Sequence, residues 1–214
     1  MSTETAPRLT LARRASAEMT ERKSVFIGTA APVASEEEAR SLIEEMRREY
    51  HDATHNVYAY ILNSGAVARY SDDGEPQGTA GIPVLNVLKM SGATDLCVVV
   101  TRYFGGILLG AGGLVRAYSA AAKLALDEAG IVAMTDFAVL QIQCSYSDYQ
   151  RLTVQLPKYG ATEDDTQFDS AVSILAGIES SRAPALMAAL SELTNGRASA
   201  EIVGHEERPA PLNM

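Results

Sequence analysis

Residues 96–116 carry the sequence LCVVVTRYFGGILLGAGGLVR, in which an apolar run is followed by a cluster of glycines. The five consecutive apolar residues Leu96–Val100 are typical of a strand buried on both faces in the centre of a sheet. Residues 114–129 are rich in alanine and precede Gly130, a residue type that commonly ends helices. The sequence therefore predicts a central strand that leads through a glycine-rich segment, residues 102–116, into a long helix.

Apolar patterns before the central strand predict a hairpin, a long helix, a second pair of strands and a short helix. Their predicted bounds are Leu9–Ala17, Ser24–Pro32, Ser35–Tyr50, Val57–Leu62, Ala66–Tyr70 and Pro83–Met90. Residues 71–81, SDDGEPQGTAG, have no apolar period and are dense in Gly, Asp and Pro, so they predict a loop longer than a simple connector. We name these residues the acidic loop. The elements together predict an α+β domain over residues 1–130.

The order of elements changes after residue 130. Strands are predicted at 133–144, 161–168, 171–177 and 198–203, and helices at 148–156 and 183–193. This βαββαβ order is that of the ferredoxin-like fold. We therefore expect a ferredoxin-like domain over residues 131–206, followed by a flexible tail at residues 207–214.

The composition restricts the class of protein. A length of 214 residues is compatible with one large or two small domains, and 47% hydrophobic content is normal for a chain that buries a core. The chain has no apolar run of about 18 residues, and its first ten residues include Glu4, Pro7 and Arg8 where a signal peptide would be apolar. The sequence therefore predicts a cytoplasmic protein without membrane association.

The net charge of −9 argues against a protein that coats nucleic acid through bulk electrostatics. Residues 1–130 carry 13 basic and 16 acidic side chains, whereas residues 131–214 carry 5 and 11. Binding to a polyanion is therefore expected only locally, in the first part of the chain.

Neither cysteine predicts a metal site. Cys97 and Cys144 each lie in an apolar run without a second Cys or His at ligand spacing, so we expect both to be buried. His51 and His55 have i, i+4 spacing, but the residues between them do not form the HExxH pattern. No metal and no cofactor is predicted.

The glycine-rich segment is the first candidate for a binding site. Glycines let backbone N–H groups approach an anion, and a helix N-terminus adds partial positive charge. Arg102 and Arg116 flank the segment, and Tyr103 and Phe104 can stack on bases if they face solvent. The sequence has neither GxxxxGK[ST] nor a complete GxGxxG, which argues against a nucleotide hydrolase. The glycines at its centre are Gly105, Gly106, Gly110, Gly112 and Gly113. Alternatively, the glycines permit a tight strand-to-helix crossing, and either aromatic residue is core.

The acidic loop is the second candidate. Asp72, Asp73 and Glu75 offer oxygen ligands that can hold Mg²⁺ against a phosphate, with His55 as a proton carrier. Alternatively, these carboxylates bond to backbone N–H groups of their own turn or pair with Arg102 or Arg116, and His55 is structural.

Several stretches of the chain closely resemble the IMPACT/YigZ family. They are residues 71–81 (SDDGEPQGTAG), 99–106 (VVTRYFGG) and 112–118 (GGLVRAY), preceded by 23–27 (KSVFI) and 53–60 (ATHNVYAY). The C-terminal part resembles the small domain of bacterial members, which is similar to domains of translation elongation factor G. The chain departs from the family pattern at Gln77, commonly Ser, and at Ile82, often Arg, and the second departure removes one anion contact.

The resemblance implies a first domain of the ribosomal-protein S-five domain-two-like type, before the ferredoxin-like one. Eukaryotic relatives regulate translation by binding the activator of an amino-acid-starvation kinase, but they bear an extra N-terminal domain, so this partnership is not carried over. For bacterial members the resemblance implies association with nucleic acid or the ribosome.

The sequence therefore favours a non-enzymatic, translation-associated regulatory protein that binds RNA or a ribosomal partner, with its oligomeric state left open. The binding patch would comprise His55, Arg102, Tyr103, Arg116 and the glycine backbone, shaped by Asp73 and Glu75. One alternative is a Mg²⁺-dependent phosphoryl or phosphodiester hydrolase that uses the acidic loop. Another is a protein-interaction module whose acidic second domain docks a basic protein partner.

Overall fold

The structure is a computed structural model that describes residues 7–210. Its chain divides into two compact units, of which the first reaches Ala133 and also includes Ala210, and the second comprises Met134–Pro209. Both units combine helices with strands, so the chain has a two-domain α+β architecture. Within residues 7–210, the model contains no helix with the length and apolar character needed to cross a membrane.

The first unit is built on a five-stranded antiparallel sheet with the order β2-β3-β6-β4-β5. The first six strands of the chain lie in this unit. They are β1 (Arg8–Leu11), β2 (Ala15–Glu21), β3 (Ser24–Pro32), β4 (His55–Leu62), β5 (Val67–Ser71) and β6 (Leu96–Tyr103). Its helices are α1 (Glu36–Glu49), α2 (Gly81–Ser91) and α3 (Ala111–Ala129). The apolar run of β6 lies in the middle of the sheet, as its sequence predicts.

Helices cover both faces of this sheet because successive side chains of a strand point to opposite faces. Leu96, Val98 and Val100 of β6 pack in a cluster with α2 and α3, whereas Cys97 and Val99 pack in a second cluster with α1. The run is apolar without alternation since both of its faces are buried.

The second unit contains the remaining elements. They are β7 (Ile131–Cys144), α4 (Tyr146–Thr153), β8 (Thr162–Phe168), β9 (Val172–Glu179), α5 (Ala183–Thr194) and β10 (Ser199–Ala210). In the sheet, β9 lies between β7 and β8, and β10 also pairs with β7. A separate apolar cluster joins the sheet to α4 and α5.

The first predicted strand, Leu9–Ala17, is in fact two strands separated at residues 12–14. The Ala12 N–H donates to the Gly130 carbonyl at 2.8 Å, so Ala12 is not paired with β3. The ladder with β3 begins only at Ala15. The hairpin that follows is tighter than predicted, because β2 continues to Glu21 and only Arg22 and Lys23 form the turn. Both have positive φ, 46° and 67°, as the favoured two-residue hairpin turn requires.

The flexible tail predicted at 207–214 is wrong for its first four residues, because β10 continues to Ala210. Arg208 explains the extension, since its guanidinium bonds to Asp164 of β8 at 2.9 Å and lies 5.6 Å from the Phe137 ring centroid. The rest of the predicted tail, 211–214, lies outside the described residues.

Candidate functional site

A cleft of about 410 Å³ opens at one end of the first unit's sheet. It lies where β4 begins and β6 ends, between the acidic loop and the start of α3. Its lining residues are Thr54, His55, Gly74, Glu75, Pro76, Arg102, Phe104, Leu108, Leu109, Gly110, Ala111 and Leu114. We refer to this space as the cleft. It joins the acidic loop to the glycine-rich segment, so the two candidate regions of the sequence meet in space.

The register of the sheet places the first residues of the cleft side by side. His55 opposes Arg102 in the β4–β6 ladder, and the Thr54 N–H donates to the Arg102 carbonyl at 2.9 Å. The Phe104 N–H then donates to Thr54 Oγ1 at 3.1 Å, where the chain leaves β6. These bonds fix the point at which the glycine-rich segment departs from the sheet.

Glu75 is the centre of a buried polar network at the base of the cleft. Its Oε1 accepts from Arg102 Nη1 at 2.5 Å and from the Tyr118 hydroxyl at 2.8 Å, and His55 Nε2 lies 3.8 Å away. Burial raises the pKa of Tyr118, and the negative charge of Glu75 raises it further. The Glu75 carboxylate is therefore ion-paired and hydrogen-bonded below the surface, as a buried charge requires.

Arg102 is 5% exposed and contributes to the wall of the cleft from within the protein. Its Nη2 donates to Ser24 Oγ at 3.4 Å, and its guanidinium carbon lies 5.4 Å from the Phe26 ring centroid and 5.5 Å from that of Phe104. Among the described residues, its Nε atom is buried without a hydrogen-bond partner. The Nη1 group of this guanidinium is occupied by Glu75.

His55 is held by the backbone of the acidic loop. Its Nδ1 lies 2.8 Å from the Asp73 carbonyl, and because a carbonyl only accepts, Nδ1 carries the proton. This arrangement turns Nε2 towards Glu75 and the cleft. His55 can therefore meet a ligand through Nε2.

The remaining carboxylates of the acidic loop are occupied by N–H donors. Asp72 accepts from the backbone N–H groups of Gly78, Ala80 and Gly81 at 2.9, 3.1 and 2.8 Å. Asp73 accepts from Arg47 at 2.8 Å and from the Asn56 N–H at 2.7 Å. In residues 7–210 no group of three His, Cys, Asp or Glu side chains is arranged to hold a metal ion. The donors around these oxygens match the turn-forming alternative better than magnesium ligands.

The glycines of the glycine-rich segment have different surroundings. A Cβ on Gly105 would lie 2.1 Å from the Lys23 carbonyl carbon, so only glycine fits against the β2–β3 turn there. Gly110, with φ of 71°, precedes α3 and lines the cleft. Gly106 and Gly112 are exposed, and Gly113 faces Leu109. Both sequence interpretations therefore apply, close packing at Gly105 and an open backbone at the start of α3.

Tyr103 and Arg116 lie outside the cleft. The Tyr103 hydroxyl donates to Asp52 at 2.8 Å on the surface. Arg116 lines a neighbouring cleft of about 210 Å³ with residues of the β2–β3 hairpin, including Arg22, and with Leu109, which also lines the first cleft. Arg116 and Lys23 are exposed and form no ion pair within the described part of the chain.

Sequence reasoning missed Tyr118 and Leu108 as site residues. Tyr118 shares the apolar face of α3 with Leu114 and Ala121, so its spacing indicates only a core residue. The one available signal is its place at the end of residues 112–118 (GGLVRAY), a stretch that carries the family resemblance. Leu108 is 82% exposed and lines the cleft, a position that only the structure reveals.

Comparison with known proteins gives consistent matches along the chain. Residues 22–126 match the Impact N-terminal domain, and residues 142–197 match a domain of unknown function, DUF1949. The chain is 35% identical to IMPACT family member YvyE of Bacillus subtilis (strain 168) over 82% of this chain and 81% of the relative. It is 31% identical to IMPACT family member YigZ of Escherichia coli (strain K12), over 87% of this chain and 92% of the relative.

Two further similarities differ in extent. Protein IMPACT of Oryctolagus cuniculus is 32% identical over 43% of this chain and 30% of that protein. A crystal structure of a hypothetical protein is similar with a TM-score of 0.59 at 28% identity, covering 94% of this chain and 98% of the other. The similarity to the bacterial relatives and to this structure therefore includes both units, whereas the rabbit protein matches a smaller part.

Proposed function

The chain belongs to the IMPACT family, and from that premise we propose that it is a non-enzymatic, translation-associated regulatory protein of the cytoplasm that binds RNA through its first unit. Single-stranded RNA, free or exposed on the ribosome, is the ligand class. The observation that carries this proposal is the exposed ring of Phe104 beside the start of α3 in one cleft.

The fold assignments accompany this proposal. We assign the first unit to the ribosomal-protein S-five domain-two-like fold and the second to the ferredoxin-like fold. The antiparallel order β2-β3-β6-β4-β5 with α2 and α3 on one face supports the first assignment. The element order βαββαβ, with β7 between β10 and β9, supports the second.

Phe104 supplies a stacking platform for a base. Its side chain is 45% exposed, and the Arg102 guanidinium lies 5.5 Å from its ring centroid. The ring is therefore held in place by a buried cation while much of it remains open to solvent. Stacking of a base on an aromatic ring tolerates any base, since each base has a π-face.

The backbone beside Phe104 supplies donors for a phosphate. The first N–H groups of a helix have no partner within the helix, and here they belong to Ala111, Gly112 and Gly113 of α3. Ala111 lines the cleft, and Gly112 has no atom within 4 Å of the position where a Cβ would stand. A phosphate linked to the stacked nucleotide can approach these groups closely.

Side-chain cations for further phosphates come from Arg116, which lines the neighbouring cleft, and from Lys23 in the β2–β3 turn next to Arg22 of that cleft. Arg116 and Lys23 are exposed and, within residues 7–210, have no acidic partner at ion-pair distance. Arg116 and Lys23 take the place of Arg102 as phosphate ligands in this proposal, because Arg102 is ion-paired with Glu75. A few local cations are compatible with RNA binding by a chain of net charge −9, whereas bulk attraction is not.

The test is fluorescence anisotropy with a labelled single-stranded RNA of about 12 nucleotides across a salt series. Phe104→Ala should weaken binding about tenfold at every salt concentration because it removes one stacked base. Arg116→Gln should weaken binding and reduce the slope of log K against log salt by about 0.7 to 1.

Matched controls separate the site from general effects. Tyr70→Ala removes an aromatic side chain that is also 45% exposed, on the edge strand β5, and should leave affinity unchanged. Arg40→Gln removes the same charge from α1, on the opposite face of the sheet, and should leave the salt slope unchanged. The proposal is contradicted if Phe104→Ala binds like the wild type, or if Tyr70→Ala weakens binding equally.

A further inference from the structure

Three aromatic side chains form an exposed cluster in the second unit. Tyr146 and Tyr149 lie on α4, and Phe168 lies at the end of β8. The Phe168 ring centroid is 5.3 Å from that of Tyr149, edge to face, and 6.2 Å from that of Tyr146. Tyr146 is 55% and Phe168 57% exposed, so large parts of both rings face solvent. We name these three residues the aromatic patch.

Two acidic residues adjoin the aromatic patch, Glu163 through its carboxylate and Asp169 through its backbone. The Tyr149 hydroxyl donates to Glu163 of β8 at 3.3 Å, and the Tyr146 hydroxyl donates to the Asp169 backbone carbonyl at 2.6 Å. Glu163 and Asp169 are exposed, and neither has a Lys or Arg at ion-pair distance in the described part of the chain. Asp164, which lies between them in sequence, is by contrast paired with Arg208. Negative charge beside the patch is therefore not neutralised by the protein itself.

The strand that carries these residues is open on one side. In the described sheet β8 pairs with β9 alone and stands at the end of the strand order. A strand in this position presents unpaired backbone N–H and carbonyl groups to an approaching chain. An extended peptide can therefore lie along β8 and reach the aromatic patch at its end.

We propose that the aromatic patch, with Glu163 and Asp169, docks an extended lysine- and arginine-rich segment of a partner protein. A cationic side chain is attracted to the π-face of an aromatic ring, and here the flanking carboxylates add to that attraction. Residues 131–214 carry 11 acidic and 5 basic side chains, which favours a basic partner and repels RNA. The surface is distinct from the cleft of the first unit and does not depend on RNA binding there.

The experiment measures binding of the full chain to three fluorescein-labelled peptides of about eight residues, the length of a strand. Four alternate positions carry arginine, lysine or glutamine, with serine between them. We expect the arginine and lysine peptides to bind in low salt and the glutamine peptide to bind at least about tenfold more weakly. Phe168→Ala should reduce affinity for the arginine peptide about tenfold, whereas Phe168→Tyr, which keeps a ring, should retain it.

A charge-matched pair of variants distinguishes this surface from bulk attraction. Glu163→Gln combined with Asp169→Asn should reduce binding of the arginine peptide, whereas Glu192→Gln combined with Glu201→Gln, an equal change elsewhere in the unit, should not. Equal losses from both pairs would overturn the proposal in favour of nonspecific attraction. Equal binding of the glutamine peptide would show that the charge of the segment does not contribute, as expected for backbone pairing along β8 alone. Concentration-dependent self-association abolished by Phe168→Ala would identify a second copy of this chain as the occupant, and either result overturns the proposal.

Discussion

The hydroxyl of Tyr118 lies inside the apolar face of α3 and nevertheless has a charged partner. It donates to Glu75, which also pairs with Arg102, so one carboxylate joins the acidic loop, β6 and α3. All three side chains are buried. Removal of one donor leaves the buried charge less well compensated, and such losses are more costly than the net contribution of an average hydrogen bond.

Tyr118→Phe should lower the free energy of unfolding in urea by about 1–3 kcal/mol, since it deletes a buried hydrogen bond to a charged group. Tyr103→Phe is the matched control, because it deletes a tyrosine–carboxylate bond at the surface. That control should change stability by less than about 0.5 kcal/mol. Equal losses in the two variants would contradict the importance of the buried network.

The same variant has a pH signature. Burial raises the pKa of Tyr118 in the folded protein, so above about pH 10 the folded state binds more protons than the unfolded state. Stability therefore falls as pH rises through this range, and Tyr118 accounts for up to about 1.4 kcal/mol per pH unit of that fall. Urea denaturation between pH 9 and 11 should show a shallower alkaline decline in Tyr118→Phe than in the wild type.

Single residues differ in how far their roles followed from the sequence. His55, Glu75 and Arg102 were identified as candidates by residue type and motif, and all three line the cleft. The spacing of 27 residues between Glu75 and Arg102 contains no information about their contact, which arises only when the sheet forms. Pairing of a loop carboxylate with Arg102 was one of two alternatives left open by the sequence, and the structure shows that pair at Glu75.

The acidic loop and α2 form one structural element through Asp72. This side chain accepts from three backbone N–H groups at the end of the loop and the start of α2. The N-cap position of α2 is Ala80, which has no side-chain acceptor. Asp72 supplies the acceptor instead and so acts as the N-cap of α2. The loop is therefore organised by its own carboxylate.

Asp72→Ala should destabilise the protein by about 2 kcal/mol or more, since three N–H groups lose a charged acceptor. Asp127→Ala, which removes an exposed i, i+4 pair with Lys123, should cost less than about 0.5 kcal/mol. A ligand that binds the folded state raises the thermal midpoint. Because the Asp72 oxygens already accept from backbone N–H groups, millimolar Mg²⁺ should leave the midpoint of the wild-type protein unchanged. A midpoint that rises with Mg²⁺ in the wild type but not in Asp72→Ala would favour the metal-dependent alternative.

Elements with strong local signals were predicted close to their observed bounds. The helix predicted at Ser35–Tyr50 is α1, Glu36–Glu49, with Ser35 as its N-cap accepting from the Glu38 N–H at 3.1 Å. The start of α3 was misplaced by three residues, because Ala111 and the two following glycines have no apolar pattern and still adopt helical geometry. Tertiary contacts, such as those of Arg208 with Asp164, decide where β10 ends.

The two units have separate apolar cores, and their order along the chain was visible as a change in the order of elements near residue 130. The core of the second unit contains Leu140, Ile142 and Ile174 and shares no residue with the two clusters of the first. A cavity in one core should therefore weaken local structure mainly in its own unit.

Ile142→Ala should cost about 2–5 kcal/mol in the second unit, since Ile142 is fully buried. Native-state hydrogen exchange should then show faster exchange in β7, β8 and β9, while protection in β3, β4 and β6 is retained. Leu124→Ala, at a position of α3 that is 42% exposed, serves as the control and should change neither set. Equal acceleration in both sets would show that the units unfold together.

The contacts of Glu75 also bear on the order in which the first unit folds. Its partners Arg102 and Tyr118 are 27 and 43 residues away in sequence. Arg102 in turn bonds to Ser24, and these two residues are separated by 78 positions. Closing such a long loop lowers the conformational entropy of the chain before the contact stabilises it. Local helices and hairpins, which close short loops, are therefore favoured to form first. We therefore expect the base of the cleft to be completed after the folding transition state. In stopped-flow urea experiments, Tyr118→Phe should accelerate unfolding and leave the refolding rate almost unchanged, and a slower refolding rate would contradict this order.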